Sequence, residues 1–311
     1  MPELNQRIAG LSAEKQRLLE HLLTRGVPSA SAARRPDTGV NASRSPLDGV
    51  RQDTRSFYDA VNKQLNASEV GSFSYFLNYG YAPDHNPQHT AVQLPEHYLH
   101  KNCVRLVLEL VGHYPLANKR VLDVGCGRGG TIHVLRKFYN PGWIAGVDLS
   151  SVAVRFCKAA HGDTGAEFAE SDAERLPFRD ASFDAVTNVE SSHSYPVRTR
   201  FYAEVWRVLA PGGWFHYTDL LTGQDWNHAE AELTALGFMT EARREITSNV
   251  LLSCDETAQR HRTAFGTTGS DPAIQEFLAV PGSSNYDRLQ SRELVYNIVT
   301  MRKPEKASYA G

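Results

Sequence analysis

Two stretches of this chain carry side chains able to move a proton at neutral pH. The first is "NVESSHSYP", Asn188 to Pro196, which holds His193 and Glu190. Histidine is the side chain whose ordinary pKa suits general-base work near pH 7. The second is "FHYTDL", Phe215 to Leu220, with Asp219 near the end of an apolar, strand-like run. A carboxylate at the same edge of a sheet can orient an imidazole and support the cation that forms on it. Glu190 is the competing acid, able to act as base itself or to line a neighbouring pocket. His216, further up its strand, reads as a packed residue.

A third stretch sets out a binding loop. "VLDVGCGRGG", Val121 to Gly130, contains Gly125, Gly127 and Gly130 in the G-x-G-x-x-G spacing that lets a ligand lie against a strand-to-helix turn. Asp123 stands just ahead of these glycines, where a diphosphate would be repelled. A ligand bearing an ammonium and a sulfonium would be welcomed there, and S-adenosylmethionine (SAM) has both. Asp148, closing "WIAGVDL", can accept from the two hydroxyls of a ribose, whichever nucleotide is bound. "ESDAERLPF", Glu170 to Phe178, places Asp172 where an adenine amino group would donate. A nicotinamide-dependent oxidoreductase or nucleotide-binding module is the rival class, and Asp123 and the Asp172 segment argue against it.

These stretches, with "SFDAVTNVE" and "RVLAPGGWF" following in order, resemble the class I SAM-dependent methyltransferases over about residues 120–221. The resemblance implies an α/β, Rossmann-like fold with a seven-stranded, mostly parallel sheet ending in an antiparallel hairpin. It implies SAM as cofactor. Asp123 would lie near the methionine ammonium, and Gly125 and Gly127 under the methionine. Asp148 would hold the ribose, with Leu149 against the adenine and Asp172 and Ala173 at the adenine edge. Asn188 joins the cofactor-binding set. The aromatic stretch "FLNYGYAP" resembles the segment that closes over the cofactor, so Tyr79 or Tyr81 would cover the sulfonium by cation–π contact. The His193–Asp219 pair is similar to that of sugar and polyketide O-methyltransferases. The acceptor implied is a hydroxyl, the β-hydroxyl of a polyketide-type chain on an acyl carrier protein, or a free small molecule. A C-methyltransferase using the same base remains open.

The elements that must position these groups alternate regularly. "RVLDVG", "WIAGVDL", "AEFAES", "FDAVTNVE" and "GGWFHYTDL" read as strands, with helical runs between most of them. That pattern means βαβ units and a parallel sheet. "ELVYNIVTMRK" reads as a final strand. "ITSNV", Ile246 to Val250, opens an insertion of two helices over about 250–285, placed as a lid over the acceptor. Upstream, residues 47–116 read as an irregular helical lid carrying the aromatic cluster. Residues 26–46, rich in Ala, Ser, Arg and Pro, read as a linker. "LSAEKQRLLEHLL", Leu11 to Leu23, reads as an amphipathic helix within residues 1–25 and resembles helices beside catalytic units of polyketide and peptide assembly lines.

The whole chain is consistent with this. It has 311 residues, 41% hydrophobic and 22% charged, with a net charge of -2. No basic excess steers it to nucleic acid or anionic membrane, and no run spans a bilayer. The N-terminus carries no secretory signal, which points to the cytoplasm. Four cysteines without C-x-x-C spacing read as free thiols, Cys126 as a small filler in the glycine turn. The twelve histidines show no metal-binding spacing, so no metal is expected.

Overall fold

The computed structural model describes residues 46–67, 74–84, 92–96, 98–265 and 279–305. The expected amphipathic helix at 11–23, the linker before Pro46 and the middle of the insertion lie outside the described residues. Helix α1 (Pro46–Ala67) begins on a proline, a residue whose fixed φ and missing N–H suit a first helical position. The aromatic segment that follows is not helical. Residues 74–84 carry no regular secondary structure and bend at Asn78; Gly80 follows at φ 79°, where a Cβ would sit 2.8 Å from the Asn102 backbone. Helix α2 (Lys101–Val111) then packs beneath the sheet.

From Arg120 the βαβ rhythm holds. Strand β1 (Arg120–Val124), α3 (Gly130–Tyr139), β2 (Trp143–Asp148), α4 (Ser151–His161), β3 (Glu167–Glu170), β4 (Phe183–Val189), α5 (Arg198–Val208) and β5 (Leu209–Leu221) follow in order. Then come α6 (Gly223–Leu236), β6 (Met239–Glu245), α7 (Thr247–Phe265), α8 (Ser284–Gln290) and β7 (Val295–Arg302). Local caps fix the turns next to the site. Ser150 caps α4 by accepting from Ala153 N–H, and Thr222 caps α6 by accepting from Asp225 N–H.

One seven-stranded sheet results, in the order β3-β2-β1-β4-β5-β7-β6. The first five strands are parallel; β7 runs antiparallel to both β5 and β6. Apolar cores fill both faces, one under α5 and α6 and the other under α2, α3 and α4. A third cluster joins α7 and α8 to the end of β7. Strand order reverses between β1 and β4, and in an open α/β sheet that switch point is where a ligand binds.

Candidate active site

A cavity of about 310 Å³ opens at the carboxyl ends of the strands. Its wall follows the strand order. Asp172 and Ala173 come after β3, Asp148 and Leu149 after β2, Gly125 and Gly127 after β1, Glu190 and His193 after β4, and Leu220 and Leu221 at the end of β5. Helix α1 adds Arg51, Thr54, Tyr58 and Asn62, and α8 adds Asn285 and Arg288.

The glycine loop is built against phosphate. Gly125 N–H and Cys126 N–H both donate to Val147 O, and Gly129 N–H donates to Cys126 O. Gly127 N–H donates to Asp148 Oδ2 at 2.8 Å. The amides that cradle a pyrophosphate in a dinucleotide loop are thus committed internally, one of them to a carboxylate. The other Asp148 oxygen accepts from Ser150 N–H at 2.8 Å, and the carboxylate keeps acceptor capacity for a ribose hydroxyl. Burial raises the Asp148 pKa, and the backbone donors oppose that rise. Carboxylates on the wall at Asp148, Asp172, Glu190 and Asp225, with these loop amides committed internally, fit a cationic adenosyl ligand. Asp172 accepts from Glu174 N–H at 2.9 Å and pairs with Arg51 Nε at 2.7 Å. Helix α1 is pinned elsewhere too: Tyr58 OH lies 3.0 Å from Ser194 Oγ, and Asp59 accepts from Ser150 Oγ at 2.5 Å.

His193 sits on a single 3-10 turn, Ser192–Ser194, just past β4. Its Nδ1 is 2.7 Å from Asp219 Oδ1. The carboxylate can only accept, so Nδ1 carries a proton, and in the neutral ring Nε2 is the lone-pair nitrogen. Asp219 is fully buried and does not line the cavity; it stands behind His193. Burial would raise its pKa, yet the charge and hydrogen bond of His193, with donors from Ser192 and Leu220, hold it below the usual carboxylate value.

The other residues singled out in the sequence divide between the cavity and its support. Glu190 lines the cavity in a left-handed conformation, φ 47°, and accepts from Tyr79 N–H at 2.8 Å and from the Tyr296 hydroxyl. Tyr79 is on the wall, its hydroxyl accepting from Asn285 Nδ2 at 3.1 Å. Tyr81 is not. It is buried in the core with Leu106, Leu110 and Ile246. Asn188 is also off the wall: fully buried, it donates to Val124 O and to Ser191 Oγ, bracing the β1 and β4 turns. Asp123 lies beneath the loop rather than beside the ligand space. It shares a strand face with Val121, accepts from Thr187 Oγ1 at 2.7 Å, and its Oδ2 has no hydrogen-bond partner. Burial, the largest cause, pushes its pKa up to about 7. His216 is fully buried inside the sheet, with its pKa lowered to about 4 by burial. Among the described residues no cluster of three or more His, Cys, Asp or Glu could hold a metal.

The sequence reading passed over Ser192, Tyr217, Arg198, Asn285 and Arg288. Tyr217 had a signal, since it stands two residues before Asp219 on one strand and so shares its face. The helix α8 residues had none.

Residues 122–217 match the methyltransferase domain family. Over 256 residues the chain is 33% identical to the phthiotriol/phenolphthiotriol dimycocerosates methyltransferase of Mycobacterium tuberculosis, covering 80% of this chain and 91% of that protein. The chain belongs to the class I SAM-dependent methyltransferases. A fatty-acid O-methyltransferase of Mycolicibacterium smegmatis is 42% identical over 194 residues, 61% of this chain and 69% of its own. The crystal structure of the [4+2]-cyclase SpnF superposes with a TM-score of 0.62 at 23% identity, covering 82% of this chain and 96% of that one. That last likeness shows the fold, which hosts more than one reaction. This methyltransferase therefore uses SAM, and the residues from Asp172 round to Gly125 line the cavity at the switch point. No helix among its described residues is long and apolar enough to cross a membrane.

Proposed function

We propose that this methyltransferase acts on oxygen, methylating a hydroxyl of an acyl or polyketide-type chain with His193 as general base. The observation that carries the reading is the 2.7 Å contact between His193 Nδ1 and the buried Asp219 carboxylate. An ionised carboxylate acceptor needs no base, whereas a hydroxyl must lose its proton as it is alkylated. When bound, SAM supplies the methyl group. His193 takes the hydroxyl proton at Nε2, and Asp219 holds the ring in register and supports the imidazolium. Val189, Leu220, Leu221 and Leu294 line the cavity near this turn and give an alkyl chain an apolar wall. The names of the relatives, a phthiotriol dimycocerosates methyltransferase and a fatty-acid O-methyltransferase, support an oxygen-bearing chain as acceptor. The β-hydroxyl of a chain tethered to an acyl carrier protein is the specific acceptor proposed.

The test is methyl transfer from deuterated-methyl SAM to a 3-hydroxyacyl carrier protein and to the matching free hydroxy acid. Label on oxygen, with the tethered form turning over faster, is the expected result. His193→Ala should lower turnover by roughly 10²–10⁴ with S-adenosylhomocysteine binding unchanged. Label on carbon, or a His193→Ala enzyme of normal rate, overturns the reading.

A further inference from the structure

Behind His193 the carboxylate of Asp219 is saturated with donors. Oδ1 accepts from His193 Nδ1 at 2.7 Å and Leu220 N–H at 2.8 Å. Oδ2 accepts from Ser192 Oγ at 2.6 Å and His193 N–H at 3.0 Å. These four donors match the four lone-pair sites of a carboxylate. Two are backbone amides and one belongs to the base, so Ser192 supplies the only donor that a side chain outside the pair provides.

Proton counting fixes the direction of what lies behind. Ser192 has one hydroxyl hydrogen, and it points to Asp219, which has none to give. The Tyr217 hydroxyl, 2.6 Å from Ser192 Oγ, must therefore donate to it. Tyr217 in turn accepts from the Tyr202 hydroxyl at 3.3 Å. The result is a one-directional chain, Tyr202 to Tyr217 to Ser192 to Asp219, whose members are all fully buried. Aligned hydrogen bonds of this kind polarise one another in a dry interior.

We propose that Ser192, oriented by Tyr217, is a positioning residue for the base: it tempers the charge of Asp219 and locks the carboxylate plane against His193. This rests on the reading of His193 as base. Removing the hydroxyl leaves Oδ2 with one donor, so more negative charge faces the imidazole and its protonated form is favoured. The carboxylate also gains freedom to turn. The other ionisable groups in the field of Asp219 are Tyr58 on α1, Tyr195 after the 3-10 turn, Arg198 and Tyr202 on α5, Tyr217 on β5 and Tyr296 on β7. Burial raises the pKa of each tyrosine, which keeps the phenols neutral, and Arg198 stays cationic. Glu190 lines the same cavity and burial pushes Asp123 up to about 7, so the acidic limb of a pH–rate profile is assigned to His193 by its loss in His193→Ala.

The experiment measures turnover against pH for the wild type, Ser192→Ala, Tyr217→Phe and His193→Ala, with S-adenosylhomocysteine affinity as the control for an intact site. Ser192→Ala should move the acidic limb to higher pH and lower the plateau about tenfold at unchanged acceptor KM. Tyr217→Phe should do the same to a smaller extent, since Ser192 keeps its bond to Asp219. The Nδ1 proton signal of His193 at low field in NMR should shift in both. A limb that stays in place in Ser192→Ala, at intact cofactor affinity, overturns the inference while leaving the base reading standing. A wild-type profile whose acidic limb survives in His193→Ala overturns the base reading itself.

Discussion

Replacing Asp219 by asparagine tests the site most severely, because the amide must choose which half of the donor set to abandon. If its oxygen takes the place of Oδ1, it keeps His193 Nδ1–H and Leu220 N–H, and its NH2 then faces His193 N–H and Ser192. Ser192 can turn to accept, but the backbone N–H cannot. If the oxygen takes the place of Oδ2, the NH2 faces Leu220 N–H and the ring, and His193 must move its proton from Nδ1 to Nε2. The nitrogen meant to receive the acceptor's proton then carries one already. Either way one buried backbone donor loses its partner, a cost of about 1–3 kcal/mol to stability. On the proposed mechanism the first arrangement loses the charge that supports the imidazolium and the second removes the base. General-base work is worth roughly 10²–10⁴ in rate, and the variant retains part of the orientation, so turnover should fall by roughly 10²–10³. Single-turnover methyl transfer measures this, with S-adenosylhomocysteine titration showing that the cofactor end is unaffected. Turnover within threefold of the wild type, at normal cofactor affinity, would refute the argument that Asp219 sets the ring's tautomer.

Two further predictions concern the cofactor loop. Asp148→Ala removes the acceptor of both Gly127 N–H and Ser150 N–H along with the ribose contacts; at about 1.5–3 kcal/mol per charged hydrogen bond, SAM affinity by calorimetry should fall at least tenfold, and an unchanged affinity would take Asp148 out of the site. Asp123, with its pKa raised to about 7, favours the protonated form in the folded chain, so its contribution is full below its ordinary value and is lost as pH rises towards 7. Wild-type stability should therefore fall relative to Asp123→Asn between pH 4 and 7, by on the order of 4 kcal/mol in denaturant titrations, and parallel curves for the two proteins would contradict the burial argument.

How far the sequence showed this depends on which side of the sheet a residue faces. The central strands were legible because a parallel strand covered on both faces reads as a short apolar run, as in "WIAGVDL". Strand β6 was not. "MTEARRE" lies at the sheet edge with all but one residue exposed, so neither an apolar run nor alternation marks it. The aromatic segment 74–84 read as part of an irregular helical stretch and has no regular secondary structure; Gly80 within it has φ 79°, which a right-handed helix does not accommodate. Motif spacing put Asp123 and Asn188 in the site, but spacing counts residues and not faces. Both side chains turn into the sheet, where they hold Thr187 and the β1 and β4 turns in place.

The glycines show the same distinction. In sequence Gly125 suggests room for a ligand. In the fold, a Cβ at Gly125 would lie 2.3 Å from Ser191 Oγ and 2.7 Å from the Tyr195 hydroxyl, so its bareness lets the β4 turn approach the β1 turn. That approach is what brings the two halves of the site together. Strands β1 to β3 carry the cofactor loops to one side of the switch point, and β4 and β5 carry His193 and Asp219 to the other. Asn188 ties the two turns through Val124 O and Ser191 Oγ, one residue from the 3-10 turn that holds His193. The spacing between the glycine loop and His193 is thus set at the switch point, by the bare Gly125 and by the Asn188 side chain that joins the two turns.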